Sequence, residues 1–105
     1  MNILKSLFGM NTSNSETKEL LDKGAIVIDV RTYGEFQGGH VAGSKNIPLN
    51  ELGSRVNELK KMKKPLVLCC RSGARSGQAE SFLKKQGIDC INGGSWMQVN
   101  GLVNN

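Results

Sequence analysis

The segment Cys70-Arg71-Ser72-Gly73-Ala74-Arg75 carries the residues best suited to chemistry. It follows the apolar run Leu66-Val67-Leu68-Cys69 and precedes a helical pattern, so it reads as a tight strand-to-helix loop. Ser72, Gly73 and Ala74 are small, which lets the backbone curl and turn several N–H groups toward one point, an anion nest. The helix that follows adds the positive end of its dipole. Arg71 and Arg75 add permanent positive charge. All of these favour thiolate over thiol at Cys70. Cysteines in such settings drop from a pKa of about 8.5 to between about 3.5 and 7.5. A thiolate made this way needs no general base, which suits a chain whose single histidine, His40, lies far away in sequence. The expected chemistry is nucleophilic attack by Cys70 and a covalent Cys70 intermediate cradled by N–H groups. Ser72 either gives its hydroxyl to the bound anion or is there because it is small.

The elements that must position this loop follow from the apolar pattern. Ser13-Asn14-Ser15-Glu16 fits a capping box that opens a helix carrying Leu20 and Leu21 inward and stopping at Gly24. Ala25-Ile26-Val27-Ile28-Asp29-Val30 is a short continuous apolar run, the mark of a strand buried on both faces of a parallel sheet. Residues 31–48 read as irregular, with a short turn of helix near Tyr33 to Gln37. Asn50 is placed as the cap of a second helix, with Leu52, Val56, Leu59 and Met62 at core spacing. After Lys64-Pro65 comes the second buried strand, ending at Cys70, then a third helix over residues 75–85 with Gly87 as its stop. Ile88-Asp89-Cys90-Ile91-Asn92 is a third strand, Gly93-Gly94 a turn, and residues 95–99 a short last helix. Strands alternating with helices predict an α/β fold with a mostly parallel sheet. In such sheets ligands bind beyond the carboxyl ends of the strands, where the Cys70 loop falls. Asp29 and Arg31 end the first strand on that side, either bracing the site by hydrogen bonds or forming a salt bridge that serves only the fold.

Composition narrows the function. A chain of 105 residues with 38% hydrophobic and 22% charged residues is one ordinary globular domain. Apolar runs are far shorter than the ~20 residues of a membrane span. Residues 1–12 read as an N-terminal appendage in which Ile3, Leu4, Leu7 and Phe8 fall at helical spacing. Its apolar stretch is too short for a secretory signal, so a cytoplasmic location with reduced thiols is expected. The net charge of +5 is spread along the chain, and its densest run, Lys60, Lys61, Lys63 and Lys64, has no interleaved aromatic. It reads as a solvated helix end, not a nucleic-acid surface. Cys69, Cys70 and Cys90 are odd in number and do not form a disulfide framework. Cys69 must face away from Cys70 on a strand, so it reads as core, with a resolving thiol as the alternative. Cys90 reads as core too. Adjacent strand cysteines cannot both face one metal, so no zinc site or other cofactor is expected.

The chain resembles a single-domain rhodanese, a thiosulfate sulfurtransferase-like module. The matching features are Ile28-Asp29-Val30-Arg31, Glu35-Phe36, Gly39-His40-Val41-Ala42-Gly43, Asn46-Ile47-Pro48, Cys70-Arg71-Ser72-Gly73-Ala74-Arg75-Ser76 and Gly93-Gly94-Ser95-Trp96. Their order and spacing carry the signal, over nearly the whole chain. The resemblance implies a rhodanese-like domain over residues 13–105 with about five parallel strands flanked by helices. It implies that Cys70 takes a sulfane sulfur from a small anionic donor such as thiosulfate and becomes a persulfide. The acceptor would be cyanide or a thiol, including one on a protein. Arg71 would attract the donor, and Arg75 would close the loop. His40 would be a structural hydrogen-bonding residue, and Trp96 core rather than a substrate platform. Phosphatases and arsenate reductases of this architecture use Cys-x5-Arg, whereas Cys70 to Arg75 is Cys-x4-Arg, a shorter cradle that fits sulfur. A sulfur-relay carrier acting on a partner protein is the other alternative.

Overall fold

In the central strands nearly every residue is apolar, the exception being Asp29 at the end of the first, so both faces must be covered. The computed structural model, which describes residues 14–104, meets this with three layers. The elements in order are α1 (Asn14–Asp22), β1 (Ile26–Asp29), α2 (Tyr33–Gln37), β2 (Lys45–Asn46), a 3-10 helix (Leu49–Arg55) running into α3 (Val56–Met62), β3 (Leu66–Cys70), α4 (Ala74–Lys85), β4 (Cys90–Ser95) and α5 (Trp96–Val103). The sheet has the order β2-β1-β3-β4 and every pairing is parallel. One face packs Ile28, Leu66, Leu68 and Cys70 against Leu59, Ala79 and Leu83 of α3 and α4. The other packs Val27, Val67 and Cys69 against Leu20, Leu21 and Val99 of α1 and α5. Strand alternation thus sends Cys70 and Cys69 to opposite cores. No helix among the described residues is long and apolar enough to cross a membrane.

The α/β class with a parallel sheet flanked by helices is as expected, and the helix over Tyr33–Gln37 and the strand ending at Cys70 fall where read. Four strands, not five, form the sheet of the described residues. β2 was not foreseen: its two residues lie in the stretch read as irregular. Asn50 is not a cap; the chain enters a 3-10 turn directly after Pro48, with no side-chain cap bond. Gly93-Gly94 is not a turn. β4 runs through both glycines to Ser95, with a register shift that leaves Gly93 unpaired between Leu68↔Asn92 and Cys69↔Gly94. A β-bulge there demands glycine: a Cβ on Gly93 would lie 2.8 Å from both Val67 Cγ1 and Val99 Cγ2. The expected Ser13 cap and the N-terminal appendage lie outside the described residues.

Candidate active site

Cys70 is the last residue of β3, and α4 begins at Ala74, so three residues connect them. Gly73 makes the connection with φ of 101°, a left-handed conformation that a side chain would oppose. The curl points the Gly73 N–H at Cys70 Sγ at 3.0 Å. The Ser76 hydroxyl lies 3.4 Å from the same sulfur. Cys70 is 1% exposed, and burial pushes its thiol up, but the Ser76 hydroxyl and the N–H groups of Ser76, Gly73 and Ser72 outweigh burial and hold it below its ordinary value. The small residues of the loop thus let its backbone turn toward the sulfur, with the Gly73 N–H at hydrogen-bond distance. Ser72 contributes through its backbone, and its hydroxyl makes no hydrogen bond to the sulfur.

The other two thiols are placed differently. Cys69 is fully buried in the opposite core, and burial raises it far above the usual thiol range. Cys90 shares the Cys70 face but pairs with Leu66 at the far end of the strand, its thiol pushed up to about 11 by burial. Neither sits beside Cys70 as a resolving thiol.

The two loop arginines divide the work. Arg75 binds both carboxylate oxygens of Glu35, at 2.8 and 3.0 Å. Glu35 also accepts the Thr32 N–H at 2.9 Å in a capping box for α2. Arg75, then Thr32, holds Glu35 well below the usual carboxylate value, at about 2. Arg71 is exposed and has no ion-pair partner among the described residues, which leaves it as the free cation of the loop.

Asp29 and Arg31 do not hydrogen-bond to the 70–75 loop. Asp29 is fully buried and grips Arg31 through both oxygens, the Nη2–Oδ2 distance being 2.7 Å. Arg31 passes on to the Gly39 and Glu35 carbonyls and lies 4.9 Å from the Trp96 ring centre. The pair fixes α2, and α2 presents Glu35 to Arg75, so any bracing is indirect. Trp96 packs against the core of α1 and α5, and His40 stacks on Phe36 with Nδ1 2.7 Å from the Phe36 carbonyl.

Three residues of the arrangement escaped sequence reasoning: Ser76, Asn92 and Glu35 as the partner of Arg75. Ser76 Oγ lies 2.7 Å from Asn92 Oδ1, and Asn92 Nδ2 donates to the Gly73 carbonyl at 3.0 Å. A serine one helical turn after the loop, and an asparagine just before the paired glycines, were the available signals.

This geometry places hydrogen-bond donors around the Cys70 thiol at the carboxyl edge of a parallel α/β sheet. Residues 13–98 match the profile described as Rhodanese-like domain, and the chain belongs to that family. It is 48% identical over 63 residues to an uncharacterized protein of Bacillus subtilis, YqhL, covering 60% of this chain and 49% of that one. It is 38% identical over 67 residues to the putative sulfur carrier protein YrkF of the same organism, covering 64% and 36%. It is 35% identical over 80 residues to the thiosulfate sulfurtransferase GlpE of Pseudoalteromonas translucida, covering 75% of each. The chain spans half or less of the first two relatives. Its structure is similar to that of a rhodanese-related protein of Thermoplasma volcanium, with a TM-score of 0.72 and 29% identity over 86% of this chain and 88% of that one.

Proposed function

We propose that the protein is a sulfurtransferase that moves a sulfane sulfur from a small anionic donor such as thiosulfate to a thiophilic acceptor through a Cys70 persulfide. The observation that carries this is the convergence of the Gly73 N–H and the Ser76 hydroxyl on one buried sulfur. In the first step the Cys70 thiolate attacks the outer sulfur of the donor. The donor S–S bond breaks, and sulfite leaves with its electron pair. In the second, a cyanide or thiolate acceptor attacks the outer sulfur of the persulfide, and Cys70 leaves as thiolate. No proton moves in either step, so no acid or base is required. Arg71 supplies the attraction for the donor, and Arg75 holds the loop closed through Glu35.

The phosphatase or arsenate reductase alternative needs an acid for the leaving group. The nearby carboxylates do not suit it: Glu35 is held at about 2 by Arg75, and Asp29 is locked to Arg31. A carrier role remains compatible with the same persulfide and draws on the relative named as a putative sulfur carrier. With Cys69 and Cys90 both remote, the acceptor has to come from outside this domain. A reducing compartment, the cytoplasm, keeps such a thiol active.

The test is intact mass after incubation of the reduced protein with thiosulfate, beside Cys70→Ser. The expected result is a gain of one sulfur atom, released by cyanide as thiocyanate and absent in the variant. No gain from thiosulfate or from a protein persulfide would overturn the reading.

A further inference from the structure

Ser76 is fully buried, and its hydroxyl has one proton to give. Two acceptors compete for it: Asn92 Oδ1 at 2.7 Å and Cys70 Sγ at 3.4 Å. One proton fully serves only one of them at a time, and both distances are those of a good bond, 2.7 Å to oxygen and 3.4 Å to the larger sulfur atom. From this we infer that Asn92 is a positioning residue for the sulfur chemistry: its side-chain carbonyl holds the Ser76 proton while Cys70 is persulfidated and releases it to Sγ when Cys70 leaves as thiolate. The inference rests on the sulfurtransferase reading.

The local structure suits such an exchange. Strand alternation puts Asn92 on the Cys70 face of the sheet, under α4. A Cβ on Gly77 would lie 3.3 Å from Asn92 Nδ2, so the small residue permits the approach of α4. Asn92 is held on three other sides: Oδ1 accepts the Gly94 N–H at 2.9 Å, Nδ2 donates to the Gly73 carbonyl, and the backbone N–H donates to Glu80 at 3.1 Å. When Oδ1 gives up the Ser76 proton it keeps the Gly94 N–H, so no buried acceptor is orphaned. The inner sulfur of a persulfide carries little charge. When the acceptor takes the outer sulfur, the Sγ–S bond breaks and its electron pair returns to Sγ. A bond to that charged sulfur outcompetes the neutral one to an amide carbonyl. The hydroxyl proton therefore turns toward Sγ as the leaving group forms and turns back when the next sulfur is loaded.

The test is the thiol–thiolate equilibrium of Cys70, followed by the ultraviolet absorbance of the thiolate across pH. Ser76→Ala should shift it toward thiol, and Ser76→Thr should restore it. Asn92→Ala, which frees the proton for Sγ, should shift it about fivefold toward thiolate. In Ser76→Ala/Asn92→Ala that second shift should vanish. An equal Asn92 effect with and without Ser76, or a shift toward thiol in Asn92→Ala, would overturn the inference. If Asn92→Ala fails to fold, NMR of the wild type decides. The Asn92 side-chain amide signals should move between thiolate and persulfide, and stay still in Ser76→Ala. Equal movement in both would refute the exchange. The titration needs no sulfur transfer, so its failure is distinguishable from loss of the mass gain that reports the activity itself.

Discussion

Replacing Glu35 by Gln should remove one ion pair and little else. Gln keeps a side-chain carbonyl for the Thr32 N–H, now bonded to Glu35 at 2.9 Å, so the capping box of α2 survives. What disappears is the charge facing Arg75 across bonds of 2.8 and 3.0 Å. That guanidinium, helped by Thr32, draws Glu35 from 4.5 down to about 2. Fully expressed in folding, such a depression is worth about 3 kcal/mol. The side chains are 33% and 30% exposed, however, so solvent screens the pair. Exposed pairs keep at most about 1 kcal/mol, and two-point geometry keeps the value near that limit. The folded pKa lies below the unfolded one, so the stabilisation is complete above about 4.5 and is lost as pH falls toward about 2. Urea unfolding of the wild type and Glu35→Gln across pH is the assay. A gap of about 1 kcal/mol is expected at neutral pH, shrinking as the medium is acidified through that window. A gap of constant size at neutral and acid pH, or none at neutral pH, would refute the clamp.

Alkylation of Cys70 by iodoacetamide should follow a pKa below the ordinary thiol value, because donated hydrogen bonds outweigh burial; a midpoint at or above that value contradicts the cradle. Cys69 and Cys90 should stay unlabelled under the same native conditions and react only on unfolding, as peptide mapping would show. Arg71→Ala should slow persulfide formation from thiosulfate and flatten its salt dependence while leaving the thermal midpoint unchanged, since the side chain is exposed and unpaired among the described residues. Gly93→Ala should cost about 1–3 kcal/mol by overpacking Val67 and Val99, read from chemical denaturation; an unchanged midpoint would mean the bulge relaxes freely.

What could be read from the chain tracks how local each cause is. β1 and β3 announce themselves because strands covered on both faces run nearly continuously apolar, broken only by Asp29 at the end of β1. The tight connection from β3 to α4 is equally legible, since small residues between a strand and a helix leave the backbone few other paths. β2, with two residues, has no period to detect. Gly93-Gly94 reads as a turn because sequence shows missing side chains but not the cause, which is Val67 and Val99 closing in from β3 and α5. Glu35 and Arg75 are 40 residues apart, and Ser76 and Asn92 are 16 apart, so each pairing exists only after the sheet is assembled.

Cys69 and Cys70 show how local surroundings push neighbouring thiols in opposite directions. They are neighbours on one strand, both essentially excluded from solvent, and burial raises each of them. On the Cys69 face the sulfur meets apolar side chains and the Asp29 carboxylate, which both disfavour charge. On the Cys70 face the strand ends, the chain turns back through Gly73, and donated hydrogen bonds reverse the sign. Alternation also keeps the two sulfurs from meeting, so the domain cannot discharge a persulfide by closing a disulfide with its own neighbour. On the proposed reading, a sulfur loaded on Cys70 would stay there until an external nucleophile entered the mouth of the loop. Under that proposal the acceptor would be the variable on which the destination of the sulfur depends.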